Sequence, residues 1–430
     1  MPSLEINYKK LPVTPEEFRL KALAWADTFA LVAYYHDHNI SYPHDGFRHM
    51  LAVSGGATKA FDSVNPFESL RQELQKQDML CGYLGYDLKN NIEKLDSKNS
   101  DGLGFPTMLF FHPEIILYFN EVSITIECSD AYIQNILETI LETPAARAAK
   151  PKGVNIQQRV SKEAYIAQVE KVRQHILEGN VYELNYCMEF FAENTSIDPL
   201  PLYLALSETS PTPFSGYLKF NENYLLCASP ERFLKKTGAT IVSQPIKGTI
   251  KRGTTPEEDA QLRNQLRHDE KELAENMMIV DLVRNDLSRS CATGTVKVEE
   301  MFGTYAFKQV WQMISTITGT IKPGKNLLDV LLGAFPMGSM TGAPKISAMQ
   351  LIEELEATKR GLYSGAFGYI TPDQDCDFNV VIRSIQYNAA QKYLSFMVGS
   401  AITYDSDPES EYEECLLKAQ AMMNVLMSNA

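Results

Sequence analysis

Strand-like apolar runs and amphipathic helical stretches alternate along this chain, but never at the even spacing of repeated βαβ units. This feature narrows the fold most, because doubly wound and barrel domains place a helix between every pair of parallel strands. It predicts a large layered fold, α/β or α+β. "VYELNYCMEF", "SGAFGYI", "DFNVVIRSIQY" and "YLSFMVG" read as strands. "SKEAYIAQVEKVRQHILEG" reads as a helix capped by Ser161 and ended by Gly179, with Tyr165, Ile166, Val169, Val172, Ile176 and Leu177 on one face. "TPEEDAQL" opens another, with Thr255 as N-cap, Pro256 in the first helical position and Glu258 completing a capping box. Longer helices are expected over "DEKELAENMMIVDLVRNDL" and over "DPESEYEECLLKAQAMMNVL", the second capped by Asp407.

The stretch Glu142–Gly153, "ETPAARAAKPKG", is small, basic and proline-bearing, and reads as a linker. It divides an N-terminal region, 1–150, from a longer region, 151–430. The first mixes a helix, "TPEEFRLKALAWADTF", with strand-like runs such as "FPTMLFF" and "EIILYF". His36, His38, His44 and His49 lie close in sequence there. The surroundings are polar and loop-like, and no ligand pair sits on a clear helix or strand, so surface histidines are expected rather than a metal site.

A net charge of -14 argues against nucleic acid or an anionic membrane as the main partner. An anionic substrate would need cations or a metal placed locally. The seven cysteines form no C-x-x-C pair, a reduced, cytosolic pattern. The N-terminus lacks the apolar core of a signal peptide, and no apolar run approaches a membrane span. A cytoplasmic enzyme is the expectation.

Candidate chemistry gathers in the longer region. Glu272 and Glu275 are three apart, as are Glu411 and Glu414, so each pair shares a helix face. Carboxylates of this kind, completed by water and substrate, suit Mg²⁺; a solvated charged face is the plain alternative. "GSMTGAPKISAM" places Gly338, Thr341 and Gly342 before a helix starting near Pro344, where free amides can meet an anion. Arg383 interrupts an apolar strand pattern and can hold a carboxylate bidentately or form a structural ion pair. Lys247 stands in "QPIKGT", two residues after a proline and directly before a glycine, a bracket that fixes where a side chain points. No histidine follows His268, so acid/base work in the second region falls to Lys, Glu, Asp or Tyr.

Together these blocks resemble the chorismate-utilising enzymes, a family that includes anthranilate, aminodeoxychorismate, isochorismate and salicylate synthases. The resemblance spans about Ser161 to Met422 and rests on "GNVYELNYCMEF", "CASPERF", "QPIKGT", "DEKELAENMMIVDLVRNDLSR", "MISTITG", "GSMTGAPKISAM", "YSGAFGYI", "VVIRSI" and "DSDPESEYEECLLKA", in the family's order. It implies two packed antiparallel sheets flanked by helices, with chorismate in a cleft. It implies that Glu275 and Glu414 hold Mg²⁺, assisted by Glu272 and Glu411, and that the metal takes the ring carboxylate. Arg383, Tyr363 and the backbone at Gly399 would take the enolpyruvyl side, with Thr341, Gly248 and Lys418 also lining the site. Glu231 would be the general acid for the C4 hydroxyl.

Within the family, "PIKGT" is characteristic of the aminodeoxychorismate branch, where anthranilate synthases usually carry "PIAGT". The resemblance thus implies Lys247 as a nucleophile toward C2 of chorismate, which requires a neutral amine and hence a lowered pKa, with magnesium and Arg383 as the cationic field. Anthranilate formation is the alternative. Isochorismate and salicylate synthases place a lysine base where this chain has Glu183. The chain has no G-x-C-x-G elbow, so a separate glutamine amidotransferase subunit is expected to supply ammonia. Two positions depart from the family pattern: Gln312 stands where histidine is frequent, and Ala401 where a second glycine is usual.

Overall fold

The computed structural model describes residues 2–56, 64–128 and 133–427. Two antiparallel sheets, of twelve and nine strands, make the sandwich expected from the resemblance. The larger contains Glu183–Ala192, Phe214–Phe220, Asn223–Ser229, Ser384–Asn388 and Tyr393–Ile402; the smaller contains Arg232–Thr237, Thr240–Gln244, Ile246–Lys251, Val310–Thr320, Ala366–Ile370 and Cys376–Asn379. Their inner faces share an apolar cluster in which Tyr35 of one sheet stacks on Phe367 of the other at 4.7 Å. Helices cover the outer face of the larger sheet through Phe18, Val169, Leu204 and Met422.

A strand covered on both faces loses the simple apolar–polar alternation. Every residue of Glu183–Ala192 is buried. The period of two still sorts them: Leu184, Tyr186 and Met188 join the helix-side core, whereas Cys187 joins the core between the sheets. The same register turns Glu183, a charged residue, toward the interior of the sandwich.

Residues 143–156 carry no helix or strand. The Ala146 and Ala149 N–H groups tie this stretch to the carbonyls of Leu20 and Pro201. Strands from before it, Leu31–His36 and Leu80–Leu84, are hydrogen-bonded into the larger and the smaller sheet respectively. The two regions therefore build one sandwich.

Helix signals hold with local corrections. Ser161 caps Lys162–Leu177, but Leu177 is 61% exposed, since the chain turns away at Gly179 (φ +78°) before that side chain can reach the core. Thr255 caps Pro256–His268 as expected, accepting from Glu258 N–H. The Glu258 carboxylate takes the N–H and hydroxyl of Thr254 instead of closing the box on Thr255. "DFNVVIRSIQY" is two strands, Cys376–Asn379 in the smaller sheet and Ser384–Asn388 in the larger. Arg383 sits where the chain crosses between them, at φ +52°, a conformation strained for a side chain of this size.

The histidines also differ from expectation. His44 is exposed, beside Glu299. His36 is buried and stacks between His38 (4.1 Å) and His49 (4.2 Å), and His49 stacks on Phe119. Burial pushes His38 down to about 4 and His49 to about 3, so both rings are neutral near pH 7. Among the described residues, no helix is long and apolar enough to cross a membrane.

Candidate active site

The lysine of "QPIKGT" is aimed by a break in its own strand. Opposite Val310–Thr320, Ile246 pairs with Ile314 but Thr249 pairs with Gln312, so one extra residue is accommodated at Lys247–Gly248. Such a bulge re-aims a side chain. Gly248 makes it possible: its φ is +98°, and a Cβ there would lie 3.1 Å from Met313 and 3.3 Å from a Glu272 carboxylate oxygen. Asn276 clamps the turn, donating to the Lys247 carbonyl at 3.2 Å while accepting from the Ser315 hydroxyl.

The Lys247 ammonium lies 3.3 Å from Glu183 and 3.6 Å from Glu275. Burial by itself would lower its pKa, but the carboxylates of Glu183, Glu275 and Glu414 outweigh burial and hold it above the ordinary lysine value. The lowered pKa expected of a nucleophile is thus not the resting state. The carboxylates beside the amine, rather than the cationic field expected from Arg383, set its charge.

The glutamate pairs come together from two helices, Glu270–Ser288 and Pro408–Leu426. Lys271 spans them, 3.8 Å from Glu275 and 3.5 Å from Glu411, and Lys418 holds Glu414 at 2.6 Å. Among the described residues no group of three or more His, Cys, Asp or Glu side chains is drawn into metal-binding geometry. The donor set nevertheless fits a cation. One oxygen of Glu275 is buried without a hydrogen bond, Lys271 already acts as a cation between the helices, and burial with the neighbouring Glu275 and Glu414 pushes Glu272 up to about 7.

Glu231 follows Ser229, whose hydroxyl accepts from the Glu231 N–H and donates to the Val380 carbonyl at 2.6 Å. Arg232 next to it is fully buried and bidentate with Asp377, both bonds 2.9 Å. Asp377→Ala would leave that guanidinium buried and unpaired; urea unfolding should show a loss of about 3–5 kcal/mol. The Glu231 carboxyl is itself buried and accepts from the Ser339 hydroxyl at 2.7 Å. Burial raises its pKa to about 7 against the opposing pull of Ser339 and Lys247.

Arg383 is pushed below its ordinary value by burial. Its guanidinium has the Lys418 carbonyl at 3.4 Å and, among the described residues, no carboxylate within ion-pair range, so it is available to an anion. The Lys418 ammonium also donates to the Gly399 carbonyl. Gly399 is required by close approach: a Cβ would lie 2.4 Å from the Cys187 sulfur. Tyr363 is buried, with its hydroxyl 3.8 Å from that sulfur. Thr341 ends the short turn Gly338–Met340. Its hydroxyl is taken by the Met337 and Gly338 carbonyls and its N–H by Gly338, so it shapes the turn and offers no free donor. Gln312 is buried with an unpartnered carbonyl oxygen, and Ala401 pairs with Asn185 across the sheet.

Sequence reasoning missed three participants. Glu183 entered only as the absence of a lysine, yet it is the nearest carboxylate to Lys247. Asn276 and Lys271 went unnoticed, although their place beside Glu275 on the same helix was a usable signal.

A family of chorismate binding enzymes matches residues 28–424. Anthranilate synthase component 1 of Thermus thermophilus is 36% identical over 360 residues, covering 81% of this chain and 77% of that protein. Aminodeoxychorismate synthase component 1 of Bacillus subtilis is 34% identical over 397 residues, covering 88% and 83%. The crystal structure of anthranilate synthase component I from Streptococcus pneumoniae superposes with a TM-score of 0.74 at 25% identity, over 98% of this chain and 92% of that one. A match across nearly the whole sandwich, including both glutamate helices and the lysine bulge, shows that the chain belongs to the chorismate binding enzyme family.

Proposed function

We propose that this chain converts chorismate and ammonia to 4-amino-4-deoxychorismate, the reaction of aminodeoxychorismate synthase component 1, on the way to 4-aminobenzoate and folate. The observation that carries this reading is Lys247, set on a bulge so that its amine enters the cluster of Glu183 and Glu275. A lysine presented this way serves covalent chemistry better than solubility.

Lys247 attacks C2 of the ring while Glu231, protonated near neutral pH by its buried setting, gives its proton to the departing C4 hydroxyl. Hydroxide is a poor leaving group, so the proton is needed there. Ammonia then adds at C4 and the lysine leaves C2. Arg383 takes a substrate carboxylate, with Tyr363, Gly399 and Lys418 around it, and Gly248 keeps the approach to Lys247 open. Glu275 and Glu414 would hold Mg²⁺, with Glu272 and Glu411 assisting, and the metal supplies charge neutralisation at the ring carboxylate. Glu183, the carboxylate nearest the Lys247 ammonium at 3.3 Å, takes a proton from its amine.

On this reading the reaction runs in the cytoplasm, with ammonia delivered by a separate glutamine amidotransferase subunit. The purified chain should therefore consume chorismate with Mg²⁺ and ammonium salts, but not with glutamine. Glutamine-dependent turnover by the pure chain would overturn the two-subunit reading. Anthranilate synthase is the second reading, favoured by the Thermus thermophilus relative. Chromatography of the products decides, since anthranilate in place of 4-amino-4-deoxychorismate removes the first reading.

A further inference from the structure

Glu231, the general acid of the reaction proposed above, also borders a small buried pocket. The pocket is a cavity of about 20 Å³, enough for one water. Its polar walls are Glu231, Arg232, Ser339, Ser243 and Asp286, among mostly apolar side chains. Asp286 belongs to the same helix as Glu275, three turns further on, and lies 2.5 Å from the Lys345 ammonium. Lys345 also donates to the Pro336 carbonyl at 2.8 Å, and its side chain keeps 13% of its surface in solvent. Nothing in the reaction described above uses this pair.

We propose that Ser339, the cavity and the Asp286–Lys345 pair form a proton path that recharges Glu231 from the side away from substrate. This rests on Glu231 being the general acid. The atoms balance simply. The Glu231 O–H bond breaks as the C4–O bond breaks, and the hydroxyl leaves as water with the bonding electron pair. The Glu231 carboxylate then takes a proton from a cavity water or through the Ser339 hydroxyl. That proton is replaced from Lys345 by way of Asp286, and Lys345 regains one from solvent. One proton enters for each hydroxyl lost, and nothing is oxidised or reduced.

The pair is suited to passing a proton. Burial raises the Asp286 carboxyl against the pull of Lys345, and burial lowers the Lys345 amine against the pull of Asp286, so the two affinities approach each other. Around Glu231 the other charged and titratable groups are Lys247 on its strand, Lys418 on the C-terminal helix, the adjacent Arg232, and Tyr42. None of these lines the cavity except Arg232, which is committed to Asp377.

Ser339 is a positioning residue, so its test must read more than rate. In chorismate turnover by the full chain with ammonium and Mg²⁺, Ser339→Ala is expected to lower kcat about tenfold with KM for chorismate unchanged. Activity that needs protonated Glu231 is lost as pH rises through its pKa. Removing a donor that favours the carboxylate raises that pKa, so the alkaline limb should move to higher pH. Ser339→Thr keeps the hydroxyl and should restore both. Asp286→Asn should lower kcat and leave the limb in place; if it fails to fold, Ser339→Ala still decides. An unmoved limb and wild-type kcat in Ser339→Ala, with Glu231→Gln inactive, overturn the path while sparing the acid. An active Glu231→Gln removes the acid assignment itself.

Discussion

Glu275→Gln and Glu414→Gln are each expected to lower chorismate turnover by at least about 100-fold without unfolding the protein. A helix accepts glutamine as readily as glutamate, so the fold should survive. What is lost is a charged oxygen from the two glutamate helices, which Lys271 bridges through Glu275 and Glu411. The same experiment has a readout independent of activity. Mg²⁺ that binds the native state raises its melting temperature, by an amount that grows with the logarithm of its concentration over Kd. The wild-type chain should show that rise and both variants should lose most of it. Wild-type turnover in both variants at limiting Mg²⁺ would show that these glutamates are not the metal site.

Lys247→Ala is expected to abolish a covalent intermediate and to slow amination by at least about tenfold. With chorismate and no ammonia, the wild-type chain should carry an adduct on this residue, visible by intact mass and peptide mapping. Some activity should remain in Lys247→Ala, because a site that orients ammonia still gains from proximity. Lys247→Arg should not rescue, since guanidinium stays protonated and is no nucleophile. The pH dependence follows from two shifts of known direction. Neighbouring carboxylates raise the Lys247 pKa, so the neutral amine grows scarcer as pH falls. Burial raises Glu231 to about 7, so the acid is lost as pH rises above that. The amine is charged throughout the range in which Glu231 keeps its proton and passes that charge to Glu183 within the site, so turnover should fall as pH rises through about 7 with Glu231 as the limiting group. If Lys247 only lends positive charge, Lys247→Arg will keep most activity and no adduct will form.

The sequence by itself carried the layered architecture, because local signals agreed with it. Thr255 and Asp407 cap their helices where composition says they should, and the apolar runs became strands. It also pointed to residues that the fold brings close together. Glu272 and Glu275 share a helix face by spacing alone, and the bracket around Lys247 announced a directed side chain, which proved to be a bulge pinned by Gly248. What the chain cannot express locally is which distant residue faces which. Arg383 looked like a flaw in one strand and is the crossing point between two sheets, because a break in φ reads the same as a polar substitution in a row of letters. The histidines looked like a polar loop and are a packed stack, because their neighbours come from residues 34 to 119. Glu183 looked like an absent lysine. Only the facing of the two sheets, with one strand's inward register against another's bulge, brings its carboxylate to the Lys247 amine and holds that amine charged. Electrostatics depends on distances through space, and those were decided by the packing.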